Sequence, residues 1–353
     1  MKRHIPLLIL TLIVSSFTLI AVNSVTDDHQ PCRKAKYATA EPGTCLDPKA
    51  YRFLKALDRV EQNPYDNEFA KRVIDFFEPG VHRILDTLVA YENNSVPVRI
   101  YYPTKTSTKT PTPLILFIHG GGFMFGSIEE YDMAVKKLAR ITGNIIISVD
   151  YSLAPDHPFP AALDDIYAVK DWIIQNRKKL GMKGDKITVM GDSAGGNLAT
   201  VLSLRSRDEN LDHILCQILY YPPTTFKEIE FPSRLYFLRD ERRNYLLSEE
   251  FVKAIKTNYL PESVEDSNPY VSPLEADLTG NIPPVLIINA QVDPLRDEGR
   301  RYASKLSDAG QEVTYIEYDG MIHGFFNLYM IFKEGKESMK LVRNYIADFY
   351  KES

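Results

Sequence analysis

The chain has 353 residues, of which 44% are hydrophobic and 25% are charged. This composition is typical of a globular protein and excludes a disordered or fibrous one. The 42 basic and 47 acidic residues give a net charge of −5. Outside the extreme N-terminus no block of lysine and arginine occurs that could track phosphate groups. Nucleic acid is therefore not an expected partner.

The first 24 residues carry a localisation signal. A basic start, Met1 to His4, precedes an uncharged and mostly apolar run over residues 5–22. This pattern predicts a signal peptide over 1–24, with an uncleaved membrane anchor as the alternative, because the run is longer than a usual signal core. In both cases we expect the catalytic part outside the cytosol, either secreted or in a periplasmic or lumenal space.

Three cysteines are consistent with that location. Cys32 and Cys45 lie close together in a stretch that contains proline and glycine, so a disulfide between them would close a short loop; two free thiols are the alternative. Cys216 lies in an apolar run and is expected to be an inert, buried strand residue. The cysteines and histidines lack the spacing of metal ligands, and neither metal nor cofactor is expected.

The chain before residue 83 differs in pattern from the rest. Apolar residues recur at helical spacing over 51–77, interrupted by Pro64, and this predicts amphipathic helices in an N-terminal cap segment, residues 25–82. Residues 83–102 alternate as strands do around a turn signal at Glu92 to Ser95. An antiparallel hairpin is therefore predicted at the start of a catalytic domain that spans 83–353.

Beyond the hairpin, short apolar runs alternate with helical patterns. Six runs are predicted as buried strands: 114–118, 145–149, 187–190, 214–220, 285–288 and 313–316. Helices are predicted over 131–142, 161–180, 194–207 and 297–309, and Gly143, Gly181 and Gly310 are expected to end three of them. This alternation predicts an α/β fold whose mostly parallel central sheet is flanked by helices.

Residues 224–279 interrupt the alternation. They contain a charged run, a helical piece over 248–259 and several prolines. A segment of this length inside a compact domain is usually functional. We therefore predict a helical cap insertion that lies over the site together with the N-terminal helices.

The strongest motif is the sequence Gly-Asp-Ser-Ala-Gly-Gly over residues 191–196, which lies between a predicted strand and a predicted helix. In this context a G-x-S-x-G sequence predicts a nucleophile elbow that exposes Ser193. Gly191 and Gly195 would avoid collisions in the tight turn. The alternative is a glycine-rich turn with an ordinary surface serine.

A second motif, His-Gly-Gly-Gly-Phe over residues 119–123, follows the strand 114–118. Three consecutive glycines allow backbone N–H groups to approach a developing oxyanion. The expected donors are Gly121, Gly122 and Ala194, the residue after the nucleophile. His119 is expected to have a structural role.

The remaining catalytic candidates follow the chain order Ser, acid, His. Asp293 comes after the strand 285–288 and is favoured as the acid, with Asp297 as its rival. His323 follows the last predicted strand and is the candidate general base.

Through these motifs the sequence resembles the hormone-sensitive-lipase-like family of α/β-hydrolases. The resemblance rests on residues 119–123, 191–196, 293–299 and 323–325, and it extends from about residue 85 to the C-terminus. It implies an eight-stranded sheet, a helical cap, no cofactor, and hydrolysis of esters with short- or medium-chain acyl groups by a carboxylesterase or lipase.

The expected reaction is acyl transfer. Ser193 attacks the ester carbonyl after losing its proton to His323, Asp293 stabilises the imidazolium, and water releases the acyl group. An amidase or deacetylase on the same triad and a lipase for long acyl chains are alternatives. A non-catalytic receptor of the same fold is another, although the presence of His323 argues against it. A small-molecule ester is the expected partner, while membrane association and a homo-oligomer are left open.

Overall fold

The computed structural model of the chain describes residues 44–60, 80–92, 94–104, 111–239 and 245–350. The predicted signal or anchor over 1–24 lies outside these ranges. So do Cys32 and residues 61–79, which hold most of the predicted N-terminal helices.

Eight strands form one sheet. They are β1 (Arg83–Tyr91), β2 (Asn94–Tyr102), β3 (Leu114–Ile118), β4 (Ile145–Val149), β5 (Ile187–Asp192), β6 (Ile214–Tyr220), β7 (Val285–Val292) and β8 (Val313–Ile322). Their order is β1-β2-β4-β3-β5-β6-β7-β8. The pairs β1–β2 and β2–β4 are antiparallel, and all the others are parallel. The predicted hairpin and the mostly parallel sheet are confirmed, as is the number of strands that the resemblance implies.

Helices connect and cover these strands. In the described ranges they are α1 (Pro48–Val60), α2 (Ile128–Thr142), α3 (Ala161–Leu180), α4 (Ala194–Asp208), α5 (Pro232–Leu238), α6 (Glu249–Tyr259), α7 (Arg296–Asp308) and α8 (Lys333–Asp348). None of them is long and apolar enough to cross a membrane. Helix α2 begins before its predicted start because the Ser127 hydroxyl accepts a hydrogen bond of 3.2 Å from the Glu130 N–H and caps the helix. Gly143 and Gly181 end α2 and α3 in the left-handed conformation, as predicted.

Both faces of the sheet are buried. Along β3, Leu114, Leu116 and Ile118 pack into the core on one face, while Ile115 and Phe117 pack into the core on the other. A strand that is covered on both faces needs apolar residues at every position, which explains the uninterrupted runs in the sequence.

The structure describes two of the three cysteines, and Cys216 has the buried position that the sequence predicts. Cys216 is a free and fully buried thiol on β6. Its burial raises the pKa of the Cys216 thiol to about 12, so the reactive thiolate form is suppressed. Cys45 is disulfide-bonded. Its pairing with Cys32 stays a prediction because Cys32 lies outside the described residues.

Helix α1 packs beside the last strand. The Asp47 N–H donates to the Gly320 carbonyl oxygen at 3.1 Å, and the Phe53 ring contacts the edge of the Phe332 ring at a centroid distance of 6.0 Å. The start of the chain's described part is thereby tied to β8. The assignment of residues 25–82 as a cap stays a prediction.

The insertion 224–279 contains α5 and α6 and is tied to the start of α7. The buried Glu298 carboxylate accepts hydrogen bonds from the Thr224 N–H at 2.7 Å and from the Arg234 guanidinium at 2.7 Å. Thr224 and Arg234 lie in the insertion, whereas Glu298 lies in the segment that follows β7. The insertion therefore has a charged anchor next to the loop that carries the predicted catalytic acid.

Candidate active site

Ser193 lies in a strained turn between β5 and α4. Its backbone has φ 52° and ψ −123°, a conformation that a residue with a side chain rarely adopts. A Cβ atom on Gly191 would lie 2.2 Å from the Gly195 carbonyl oxygen, and one on Gly195 would lie 2.0 Å from the Ile118 carbonyl oxygen. Only glycine fits these two positions, which agrees with the elbow predicted from the sequence.

His323 contacts both of the other predicted triad residues. Its Nε2 lies 2.9 Å from Ser193 Oγ, and its Nδ1 lies 2.7 Å from Asp293 Oδ2. The Asp293 carboxylate is fully buried, and its Oδ1 accepts from the Leu295 N–H at 2.8 Å. A proton on Nδ1 satisfies both contacts of the imidazole, since Nε2 is then free to accept from the Ser193 hydroxyl.

The sheet explains why the acid and the histidine meet. Strands β7 and β8 are parallel neighbours, and Val292 pairs with Ile322 at their carboxyl ends. Asp293 and His323 are the next residues in each chain segment, so the register places them side by side. Ser193 follows β5 at the same edge, because carboxyl ends of parallel strands point in one direction.

Asp297, the rival acid, is placed elsewhere. It lies in the first turn of α7, where Oδ2 accepts from the Ser233 N–H and Oδ1 accepts from the Arg296 guanidinium, each at 2.8 Å. One carboxylate oxygen therefore joins α7 to Ser233 of the insertion, and the other binds the neighbouring arginine of α7.

The loop over residues 119–126, hereafter the glycine loop, carries the predicted oxyanion donors. Gly121 and Gly122 have φ values of 119° and 62°, which favour glycine strongly. Within the described part of the chain, the N–H groups of Gly121, Gly122 and Ala194 donate no hydrogen bond to protein. Ala194 opens α4, so its N–H also lies at the positive end of a helix dipole. These groups can donate to an anionic oxygen.

His119 supports the glycine loop. Its Nδ1 lies 2.8 Å from the Gly120 carbonyl oxygen, and the Tyr151 hydroxyl donates to the His119 carbonyl oxygen at 2.8 Å. Burial lowers the pKa of His119 to about 4, so the ring is neutral at pH 7. Its position agrees with the predicted structural role.

Asp192 is a residue whose role the sequence reasoning missed. Its buried carboxylate accepts from the Gly120 N–H at 2.9 Å and from the Tyr131 hydroxyl at 3.1 Å. The elbow is thus joined to the glycine loop through the residue that precedes Ser193. A charged residue at the end of an apolar strand was the available signal, but its partners could not be read from the sequence.

Burial raises the pKa of Asp192 to about 6 from its usual 3.8, while the hydrogen bond from the Gly120 N–H opposes that rise. Below about pH 4 the folded and unfolded chains both hold the proton. Between about pH 4 and 6 the unfolded chain ionises first, so this group lowers the free energy of unfolding as the pH rises, by on the order of 2–3 kcal/mol in total.

Asp192→Asn is therefore expected to gain stability relative to the wild type when the pH is raised from 4 to 7. Asparagine does not titrate, so the difference between the two proteins isolates this carboxyl group. Urea unfolding at pH 4, 5.5 and 7 measures the difference. A difference that is independent of pH would contradict the raised pKa.

The sheet order and the strand–turn–helix elbow define a protein of the α/β-hydrolase fold. A family model described as the alpha/beta hydrolase fold matches residues 115–327. Esterase LipI of Mycobacterium tuberculosis is 31% identical over 293 residues, which cover 81% of this chain and 90% of that protein. An arylesterase of Saccharolobus solfataricus is 34% identical over 290 residues, which cover 79% and 92%.

A solved structure agrees with the sequence relatives. The esterase of Pyrobaculum calidifontis superposes with a TM-score of 0.78 at 35% identity, covering 86% of this chain and 99% of that one. The chain belongs to the hormone-sensitive-lipase-like family of α/β-hydrolases, and it is a hydrolase of the carboxylesterase type. The family predicted from the motifs is confirmed.

Proposed function

We propose that the chain hydrolyses esters of short- and medium-chain carboxylic acids with Ser193, His323 and Asp293 as its catalytic triad. The observation that supports this assignment best is the continuous path of contacts from Ser193 Oγ through His323 to Asp293, at 2.9 and 2.7 Å. These distances are those of hydrogen bonds that can transfer a proton.

The chemistry follows from these contacts. Ser193 Oγ attacks the ester carbonyl carbon while its proton passes to His323 Nε2, and the Asp293 carboxylate stabilises the resulting imidazolium. The oxyanion of the tetrahedral intermediate accepts hydrogen bonds from the N–H groups of Gly121, Gly122 and Ala194. The alcohol then leaves with the proton from His323. Water attacks the acyl-enzyme by the same route and releases the acid.

The preference for shorter acyl groups is supported by how closely α6 approaches the glycine loop. A Cβ atom on Gly122 would lie 2.9 Å from Ile255 Cδ1. The insertion therefore leaves little room on this side of the oxyanion donors, and a long acyl chain has to find another exit.

We expect kcat/KM for p-nitrophenyl esters to be highest between acetate and octanoate and about tenfold or more lower for dodecanoate. The matched p-nitroanilide is expected to react at least about 100-fold more slowly than the ester, because its leaving nitrogen must be protonated. Steady-state assays of the purified protein measure both ratios. An anilide rate equal to the ester rate would indicate an amidase, and a maximum at dodecanoate would indicate a lipase.

We also propose that the catalytic domain functions outside the cytosol. The disulfide bond of Cys45 supports this location, because disulfides persist in oxidising compartments. Expression with the native N-terminus, followed by N-terminal sequencing, is expected to give a mature chain that starts close to residue 25. Recovery of the intact chain in the membrane fraction would instead indicate an anchor, and peptides with free Cys32 would contradict the pairing with Cys45.

A further inference from the structure

One face of α6 lies directly on the glycine loop. Phe251, Ile255 and Tyr259 are spaced four residues apart and therefore share this face. The side chains of Phe251 and Ile255 both approach Gly122, where a Cβ atom would meet Phe251 Cζ at 3.1 Å and Ile255 Cδ1 at 2.9 Å. The Phe251 ring also stacks on Phe125 with a centroid distance of 6.1 Å.

The closest ring contact joins Tyr259 to Phe123. Their rings are nearly parallel, 13° apart, with a centroid distance of 3.9 Å, and each residue is 1% exposed. The Tyr259 ring also contacts the rings of Phe226 and Phe159. Tyr259 is therefore the centre of an aromatic cluster that joins the insertion, the glycine loop and the segment before α3.

Phe123 needs such support because its backbone is strained. It has φ 61° although it is not glycine, and a bulky residue holds that conformation only where its surroundings enforce it. Phe123 directly follows Gly122. Relaxation of its φ would therefore turn the backbone that carries the Gly122 N–H.

We propose that Tyr259 is a positioning residue for the oxyanion hole: through its stack on Phe123, α6 holds the glycine loop in the conformation that presents the Gly121 and Gly122 N–H groups. The inference rests on the proposed role of these two N–H groups as oxyanion donors. It makes the insertion part of the transition-state machinery as well as a cover over the site.

The Tyr259 hydroxyl provides a matched control. It is buried and has no hydrogen-bond partner among the described residues. Tyr259→Phe therefore keeps every contact of the ring, whereas Tyr259→Leu keeps apolar volume without the stack and Tyr259→Ala removes both. A second control, Lys253→Ala, lies on the other face of α6, where the lysine side chain is 73% exposed and pairs with Glu249.

The test compares an ester with its thionoester, in which sulfur replaces the carbonyl oxygen. Sulfur accepts hydrogen bonds poorly, so well-placed oxyanion donors give an enzyme a preference for the ester. Tyr259→Leu and Tyr259→Ala are expected to lower kcat for the ester by about 10- to 100-fold. This decrease is smaller than, or similar to, the decrease in kcat that follows removal of one oxyanion donor. KM is expected to change by less than about threefold, and the ester preference is expected to fall with kcat.

Tyr259→Phe and Lys253→Ala are expected to retain the wild-type kcat and the wild-type ester preference. Circular dichroism verifies folding, and Tyr259→Leu decides the test if the alanine variant does not fold. The proposal is overturned if the folded leucine variant keeps the wild-type values, or if it loses ester and thionoester activity equally. A wild type that hydrolyses esters but shows no preference over thionoesters would instead contradict the oxyanion donors themselves.

Discussion

Ser193→Ala is expected to lower kcat for ester hydrolysis by at least about 10⁴-fold, because alanine lacks the hydroxyl that we propose to form the acyl-enzyme. Ser193 Oγ lies 2.9 Å from His323 Nε2. Among the described residues, this is the only contact through which His323 can activate a nucleophile at the elbow. Alanine has a smaller side chain than serine and can adopt the same strained backbone, so the variant is expected to fold. Burst and steady-state kinetics with p-nitrophenyl butyrate, together with thermal unfolding, measure the two effects.

The matched control is Ser203→Ala on α4, the helix that follows Ser193. The Ser203 hydroxyl is buried and donates to the Ala199 carbonyl oxygen at 3.0 Å, away from the site. Its loss is expected to cost about 1 kcal/mol of stability or less and to leave kcat unchanged. A fluorophosphonate is expected to label the wild type and the control on the peptide that contains Ser193. Turnover and labelling that survive in Ser193→Ala would assign the nucleophile to another residue.

Asp293→Asn is expected to lower kcat by roughly 10⁴-fold while KM stays close to the wild-type value. The amide can still accept from the Leu295 N–H, which Asp293 Oδ1 binds at 2.8 Å. It cannot stabilise the imidazolium, and an NH₂ group that faces His323 Nδ1 would favour the tautomer with its proton on Nε2. That tautomer cannot take the proton from Ser193.

Asp297→Asn is the control for the rival acid. Asp297 binds the Ser233 N–H and the Arg296 guanidinium, so its neutralisation weakens the junction between α7 and the insertion. We expect kcat to change by less than about tenfold and the melting temperature to fall by a few degrees. Equal losses of kcat in the two variants would contradict the assignment of Asp293 as the acid.

The two aspartates show how much of the candidate triad could be predicted from the order of residues along the chain. The sequence favoured Asp293 because it lies in the loop after the predicted strand 285–288. The register of β7 and β8 supplies the physical reason: Val292 pairs with Ile322, so the next residues are neighbours. Neither the register nor the length of β7 could be read from the apolar run 285–288. The strand continues to Val292 because backbone pairing with β8 extends beyond the apolar residues.

For the insertion, the sequence predicted the presence of a helix but not the surface on which that helix packs. Its length and composition predicted a cap over the site, and the helix predicted over 248–259 is present as α6. That Phe251, Ile255 and Tyr259 face the glycine loop depends on how the insertion folds back over the sheet. Periodicity defines the shared face of a helix but not the surface on which that face packs.

Ser193 and its elbow could be predicted from the sequence itself, because the glycines that the turn requires flank the serine in the chain. At Gly191 the constraint is local, since a Cβ atom there would collide with the Gly195 carbonyl oxygen, whereas at Gly195 it comes from the Ile118 carbonyl oxygen of β3. The alternation of apolar runs and helical patterns likewise determined the fold class, since both faces of the sheet must be covered. Only the tertiary structure decided that the Asp192 carboxylate holds the Gly120 N–H and that Tyr259 stacks on Phe123. These contacts join segments far apart in the chain, and their geometry depends on the packing of the whole domain.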